Sequence, residues 1–275
     1  MPATLDMDVQ DALAGLRKWH LERDDSGPHR VYRDQEGGVY HSVTHILQET
    51  SSKKDKETLA RWLKKPGSEE ERQMAAKRGT LAHENCEYVL KTAAKIARSS
   101  ANARNAWRTY EDGLERPSKA ITAWALKKSI EGSPKVSWSA VSHARGLREW
   151  CADSITAIHA VEFSIHHPDG YAGTSDCLVD INGKLTLVDF KTTGSDKDKP
   201  DHFMENYFCQ AAAYMKGLNH LTGLKPKQAA IVIAKQDGSI QERMLSHLEL
   251  VGASVLWDQR VKEYNGENKE GTIFD

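Results

Sequence analysis

The stretch Tyr171–Thr193, YAGTSDCLVDINGKLTLVDFKTT, leaves this chain few folds to choose from. Two runs of strand-forming residues flank Asn182-Gly183, a dipeptide that closes a two-residue hairpin because both positions tolerate positive φ. Gly173-x-x-Asp176 opens the first run, and Asp189-Phe190-Lys191 ends the second. Side chains alternate along a strand, so Asp189 and Lys191 share one face while Phe190 points to the other. Leu185, Thr186, Leu187, Val188 and Phe190 make the second strand apolar on both faces, the pattern of a strand covered on both sides. Folding at the turn brings Asp176 and Asp189 toward one place. Two carboxylates that close repel, and either one keeps a proton or a cation neutralises them; a hard divalent ion with oxygen ligands does the latter. The alternative is a surface hairpin with a weak, solvated Asp/Lys pair. A buried strand ending in Asp-x-Lys argues against it.

Other chemistry-bearing groups are spread along the chain. Arg78-Gly79-Thr80-x-x-His83 opens a predicted helix on which His83 and Glu87, four apart, share a face. Taken alone, a helical histidine is more often packed or solvated than a ligand, and Glu87 reads either as an accessory carboxylate or as a salt-bridge partner. Glu162 sits on a predicted strand over 160–166, just ahead of the hairpin. Downstream, a predicted helix over 203–218 carries Gln210 and Tyr214 on one face, with three alanines between them allowing close packing. A buried tyrosine on an alanine-rich helix is the competing reading. Ser42-Val43-Thr44 follows a predicted hairpin over 29–42 and caps a short helix.

Gly-x-x-Asp followed by an apolar strand ending Asp-Phe-Lys-Thr resembles the core of the PD-(D/E)XK nuclease superfamily, specifically its RecB-type exonuclease branch, which includes phage exonucleases. The Arg-Gly-Thr-x-x-His segment, Glu162 and the Gln-x-x-x-Tyr helix stand in the family's order, and the likeness runs from about Tyr40 to the end. The resemblance implies an α/β fold: a restriction-endonuclease-like core with a central mixed β-sheet flanked by helices, and a helical insertion. It implies that His83, Asp176, Asp189 and the Phe190 carbonyl hold Mg2+ or Mn2+. Asp176, Asp189 and Lys191 then form the catalytic set, with Lys191 orienting water or stabilising negative charge. Gln210, Tyr214, Arg78, Thr80, Ser42 and Thr44 are the implied DNA contacts, and Glu87 and Glu162 the accessory acids. The activity so implied is hydrolysis of phosphodiester bonds at ends of single-stranded DNA, leaving 5′-phosphates. Rivals are a structure-specific or restriction-type endonuclease of the same fold and a non-catalytic DNA-end-binding recombination partner.

Cysteines Cys86, Cys151, Cys177 and Cys209 show no C-x-x-C spacing, and no cysteine triplet follows Cys209, so no iron–sulfur cluster is expected. No G-x-x-x-x-G-K-[ST] is present, so ATP-driven unwinding is not expected, and a helicase, recombinase or single-strand-binding protein would supply the strands. Lys plus Arg number 38 against 39 Asp plus Glu, which excludes a globally basic coating protein but not an enzyme with a local groove. The N-terminus lacks a basic and apolar leader, and no stretch is apolar enough for a bilayer, so a bacterial cytoplasmic or phage-encoded protein without membrane contact is expected. Five segments are anticipated: an N-terminal helix and hairpin region contributing to the DNA path (1–77), the histidine helix (78–98), a helical insertion (99–158), the nuclease core (159–264) and a tail (265–275). The insertion is basic and aromatic, with Arg98, Arg104, Arg108, Arg116, Lys119, Lys127, Lys128 and Lys135 among Trp107, Tyr110, Trp124 and Trp138. Such a surface suits phosphates and stacked bases; its alternative is an ordinary subdomain with tryptophans in its core.

Overall fold

The computed structural model describes Leu16 and residues 21–27, 29–109 and 115–266. At its centre is the anticipated hairpin. Strand β7 (Tyr171–Ile181) turns at Asn182 (φ 52°) and Gly183 (φ 75°) into β8 (Lys184–Thr192). Two successive positive-φ residues match the right-handed twist of the strands they join. Strand β6 (Ile155–His167) pairs antiparallel with β7 along its whole length, and β9 (Gln228–Ala234) lies parallel to β8. The edge strand β10 (Ile240–Leu245) completes this side of the sheet, antiparallel to β9.

The other side begins with β1 (Glu22–Asp24), β2 (Val31–Arg33) and β3 (Val39–Ser42), an antiparallel meander whose last strand runs parallel to β7. The sequence pattern predicts a helix up to about Arg23, yet Glu22 and Arg23 extend as a strand; Leu16 and Leu21 apart, the rest of that predicted helix lies outside the described residues. On the edge of β7 away from β6, β3 pairs only with Tyr171 and Ala172, and β8 pairs only from Cys177 onward. Between those two partners the edge of β7 is open. The open segment is Gly173 to Asp176, so the Gly-x-x-Asp motif occupies a fork in the sheet.

Helices cover both faces. On one lie α1 (Val43–Glu49), α6 (Glu205–Thr222) and α7 (His247–Asn265). On the other lie α3 (Ser68–Arg104), α4 (Lys119–Glu131) and α5 (Val141–Ser154). Strand β9 shows the period-two logic: Ala229, Ile231 and Ile233 enter the first core, while Ala230, Val232 and Ala234 enter the second. The expected mixed sheet between helices is the observed architecture. An exposed helix α2 (Lys53–Leu63) precedes α3, and Pro66-Gly67 lies between them.

Three local expectations are corrected. The histidine helix starts at Ser68 rather than near Arg78; no breaker interrupts the pattern after Gly67, and α3 runs 37 residues to an αL stop at Asn105. The predicted all-helical stretch contains a small hairpin, β4 (Trp107–Thr109) with β5 (Glu115–Pro117). Strand β6 starts at Ile155, five residues before the pattern suggests, with register irregularities before Ala157 and Ala160 that blur its alternation. Among the described residues no helix is long and apolar enough to cross a membrane.

Candidate active site

The fork opens into a cavity of about 540 Å³ lined from four directions. From α3 come Gly79, Thr80, His83, Glu84 and Glu87; from β6, Glu162; from β7 and β8, Asp176, Asp189 and Lys191; from α6, Gln210 and Tyr214. Ser42 and Thr44 line it at the start of α1. Ser42 is also the helix cap: its Oγ accepts the His45 amide at 3.1 Å, so the capping and cleft readings of this residue both hold. Of the thirteen residues singled out from sequence, Arg78 and Phe190 do not line the cavity. Arg78 lies against Gly194, in the loop after β8. The Phe190 ring is turned into the core beside Trp150, as alternation along the strand requires.

The acids are held by specific neighbours. His83 Nδ1 lies 3.3 Å from Asp176 Oδ1, and the Phe190 amide, freed where the β7–β8 ladder ends, donates to Asp176 Oδ2 at 2.5 Å. The Lys191 ammonium contacts Asp189 Oδ2 without satisfying it as a hydrogen bond. Gln210 Nε2 donates to the Tyr214 hydroxyl at 2.8 Å, both side chains being buried. Tyr214 in turn explains the glycine of Gly-x-x-Asp: a Cβ on Gly173 would stand 2.5 Å from Tyr214 Cε1.

Electrostatics push the two hairpin acids in opposite directions. Burial raises the pKa of Asp189, with Asp176 adding to it and Lys191 only partly offsetting it. Burial also penalises the Asp176 anion, but His83, Lys191 and the Phe190 amide outweigh it and hold that pKa low. His83 and Lys191 are both raised: burial disfavours their charge, and the carboxylates beside them more than compensate. Glu162 is pushed up to about 7, by burial first and then by Asp176 and Glu87. Its neighbours along the strand pair with Cys177 and Ser175, which sets Glu162 across from Asp176, and its φ of 49° is a rarely populated conformation for a strand. Strained backbone of this kind is concentrated at functional sites.

A hard divalent cation fits this donor set in kind: a part-buried carboxylate from Asp176 and a buried one from Asp189, a third acid at Glu162 and an imidazole at His83, with mutual repulsion that a cation would relieve. Among the described residues no three His, Cys, Asp or Glu side chains converge tightly enough to hold an ion as they stand. The physical reason lies in their present partners, since Asp189 faces Lys191 and Asp176 faces His83 and the Phe190 amide.

Arg23, Arg30 and Tyr32 also line the cavity, and sequence reasoning missed them. They arrive because β3 pairs with β7, and nothing local in the sequence signals that pairing. Arg30 donates to Asp25 at 2.6 Å, and the Tyr32 hydroxyl lies 3.3 Å from Thr174 Oγ1. Arg116, anticipated as a phosphate contact, is instead 2% exposed and ion-paired with Asp180, which also meets His159 Nε2 at 3.0 Å. All four cysteines are buried and free.

The order helix, three-stranded antiparallel meander, helix, parallel strand, with its acids at the fork, defines a core of the PD-(D/E)XK class, and the chain is related to exonucleases of that class. It is 30% identical over 126 residues to human mitochondrial genome maintenance exonuclease 1, covering 43% of this chain and 36% of that protein. The mouse protein of the same name is 30% identical over 122 residues, covering 42% and 35%. This chain thus spans about a third of the length of the curated relatives it matches. An alkaline exonuclease from Laribacter hongkongensis is a slighter structural match, with a TM-score of 0.25, 12% identity, and coverage of 67% of this chain and 97% of that one. The chain belongs to the family described as "Protein of unknown function (DUF2800)", whose model matches residues 52–195.

Proposed function

We propose that this chain is a DNA nuclease that hydrolyses phosphodiester bonds at the ends of single strands with a divalent ion, Mg2+ or Mn2+, leaving 5′-phosphates. One observation carries the reading: an imidazole, a buried and a part-buried carboxylate and an ammonium, from α3, β7 and β8, meet in one cleft at a fork of the sheet. The name of the human relative supports an end-directed activity. Asp176, Asp189 and His83 would hold the ion, which when bound supplies Lewis-acid polarisation of a phosphoryl oxygen and a more acidic water. The chain's own groups do the rest. Lys191, kept charged by Asp189 and Asp176, stabilises the negative charge that builds on the phosphoryl oxygens. Gln210 and Tyr214, locked to each other, hold the strand's backbone, and the hydroxyls of Ser42, Thr44 and Thr80 add neutral contacts elsewhere in the cleft.

End-labelled single strands incubated with Mg2+, Mn2+ or chelator test this. Cleavage is expected with metal and none with chelator. Lys191→Ala should still bind DNA and lose on the order of 10²–10³-fold in cleavage rate, whereas Asp176→Asn and Asp189→Asn should weaken Mn2+ binding as well, measured by calorimetry. Full activity in either Asp variant refutes the site. Equal cutting of circular and linear single strands would make the enzyme an endonuclease.

A further inference from the structure

A second cavity, of about 680 Å³, lies between α3 and β6 and shares the Glu162 side chain with the first. Its helical wall carries Lys91, Lys95 and Arg98, spaced i, i+4 and i+7 and hence on one face. That face is continuous with the cleft, because His83, Glu87, Lys91 and Lys95 follow one another at four-residue steps. Along it the charge changes sign, from the acids around His83 to three cations farther on. The opposite wall, from β6, combines the apolar side chains Ile158, Ala160, Val161 and Phe163 with His159, Glu162 and Ser164. Cations on one side and apolar side chains on the other are what a single strand presents its phosphates and its sugar and base faces to.

We propose that this cavity is a phosphate track: Lys91, Lys95 and Arg98 hold the backbone of a single DNA strand whose neighbouring phosphate occupies the cleft at His83 and Asp176. The proposal rests on the nuclease reading of that cleft. From Lys91 to Arg98 the helix advances about 10 Å, room for roughly three phosphates at the 3.4 Å spacing of a stacked strand. Lys91 now pairs with Glu87, and Arg98 donates to the His159 carbonyl at 3.2 Å. Lys91 therefore exchanges a part-buried carboxylate partner for a phosphate, while Lys95 is exposed and positioned to contact one directly.

The test is the salt dependence of binding to a labelled single-stranded oligonucleotide, measured by anisotropy in chelator so that nothing is cut. The variant is Lys91→Ala/Lys95→Ala, which leaves Arg98 and its bond to β6 in place; Lys225→Ala/Lys227→Ala, exposed between α6 and β9 and outside both cavities, removes the same charge elsewhere. Each lost phosphate contact lowers the slope of log K against log salt by about 0.7 for single strands, so the track variant should lose about 1.4 and bind on the order of tenfold more weakly at 0.1 M salt. The Lys225/Lys227 variant should keep the parent slope. An unchanged slope in the track variant, with the parent binding and cutting normally, overturns this proposal and leaves the nuclease reading intact. A parent that neither binds nor cuts DNA overturns both. Matched thermal melts of parent and track variant would tie a reduced slope to the lost cations and so support the track; a melt lowered by several degrees would attribute the loss to misfolding and count against it.

Discussion

Gly173 is the residue through which fold and cleft constrain each other most tightly, and Gly173→Ala measures that constraint. Its φ is not in the left-handed region, so an alanine meets no backbone penalty there and the outcome is decided by contact alone. The new Cβ would stand 2.5 Å from Tyr214 Cε1 and 3.1 Å from Cζ, against an ordinary carbon contact of about 3.5–4.0 Å. About 1 Å of overlap must be relieved. The Tyr214 ring is 3% exposed and its hydroxyl is tied to Gln210, so it moves only by breaking that bond or by displacing α6 from the sheet. Overpacking of this degree costs about 1–3 kcal/mol, and the lost hydrogen bond adds about 1 kcal/mol. At about 2–4 °C per kcal/mol for a chain of this size, the melting temperature should fall on the order of 5–10 °C. Cleavage should fall further, on the order of 10²-fold, because an ångström of misplacement beside the reacting groups has that effect. The decisive measurement is a double-mutant cycle by thermal or denaturant melts. In a Tyr214→Ala background the clashing atoms are gone, and Gly173→Ala should then cost almost nothing. Equal losses in both backgrounds would show that the glycine answers to something other than Tyr214, and the account of the Gly-x-x-Asp motif given above would fail.

Two further outcomes follow from groups away from the cleft. Asp180→Ala should destabilise by about 3–5 kcal/mol in urea melts, because it takes a buried carboxylate away from the Arg116 guanidinium and from His159; a loss under 1 kcal/mol would mean that this carboxylate is not what holds the buried guanidinium. Glu249, in the capping box of α7, is held at about 2 by the Ser246 amide and hydroxyl and then by Arg243, below its ordinary carboxylate value. A lowered folded-state pKa gives stability that is present above the unfolded value and disappears as pH falls through the folded one. The melting-temperature gap between the parent and Glu249→Gln should therefore be full at pH 6, shrink below about pH 4.5 and close near pH 2; a gap constant over that range would assign the effect to packing.

What could be read in advance divides by the range of the interaction that decides it. The hairpin was legible because Asn182-Gly183 and two period-two runs are local signals, and the Gln210/Tyr214 face was legible because four-residue spacing on a helix needs no partner to be recognised. His83 became meaningful only through the order of distant motifs, since its own surroundings on α3 read like any amphipathic helix. The fork itself was not legible: it exists because β3 and β8 pair with different ends of one edge of β7, and that pairing joins residues about 130 positions apart. The same non-local pairing delivered Arg23, Arg30 and Tyr32 to the cleft without any motif. Charge was the least legible quantity, and for one reason in both directions. Arg116, in a run of basic residues, carries a charge neutralised inside the protein by an aspartate on β7, whereas Lys91 sits four residues after Glu87 and so looks like half of a solvated pair. A count of basic residues along the chain therefore does not by itself locate a binding surface. Which cations can meet a strand is set by what lies across from them; in the proposed track, Lys91, Lys95 and Arg98 face the mixed wall of β6, with the acid-lined cleft adjoining at Glu162.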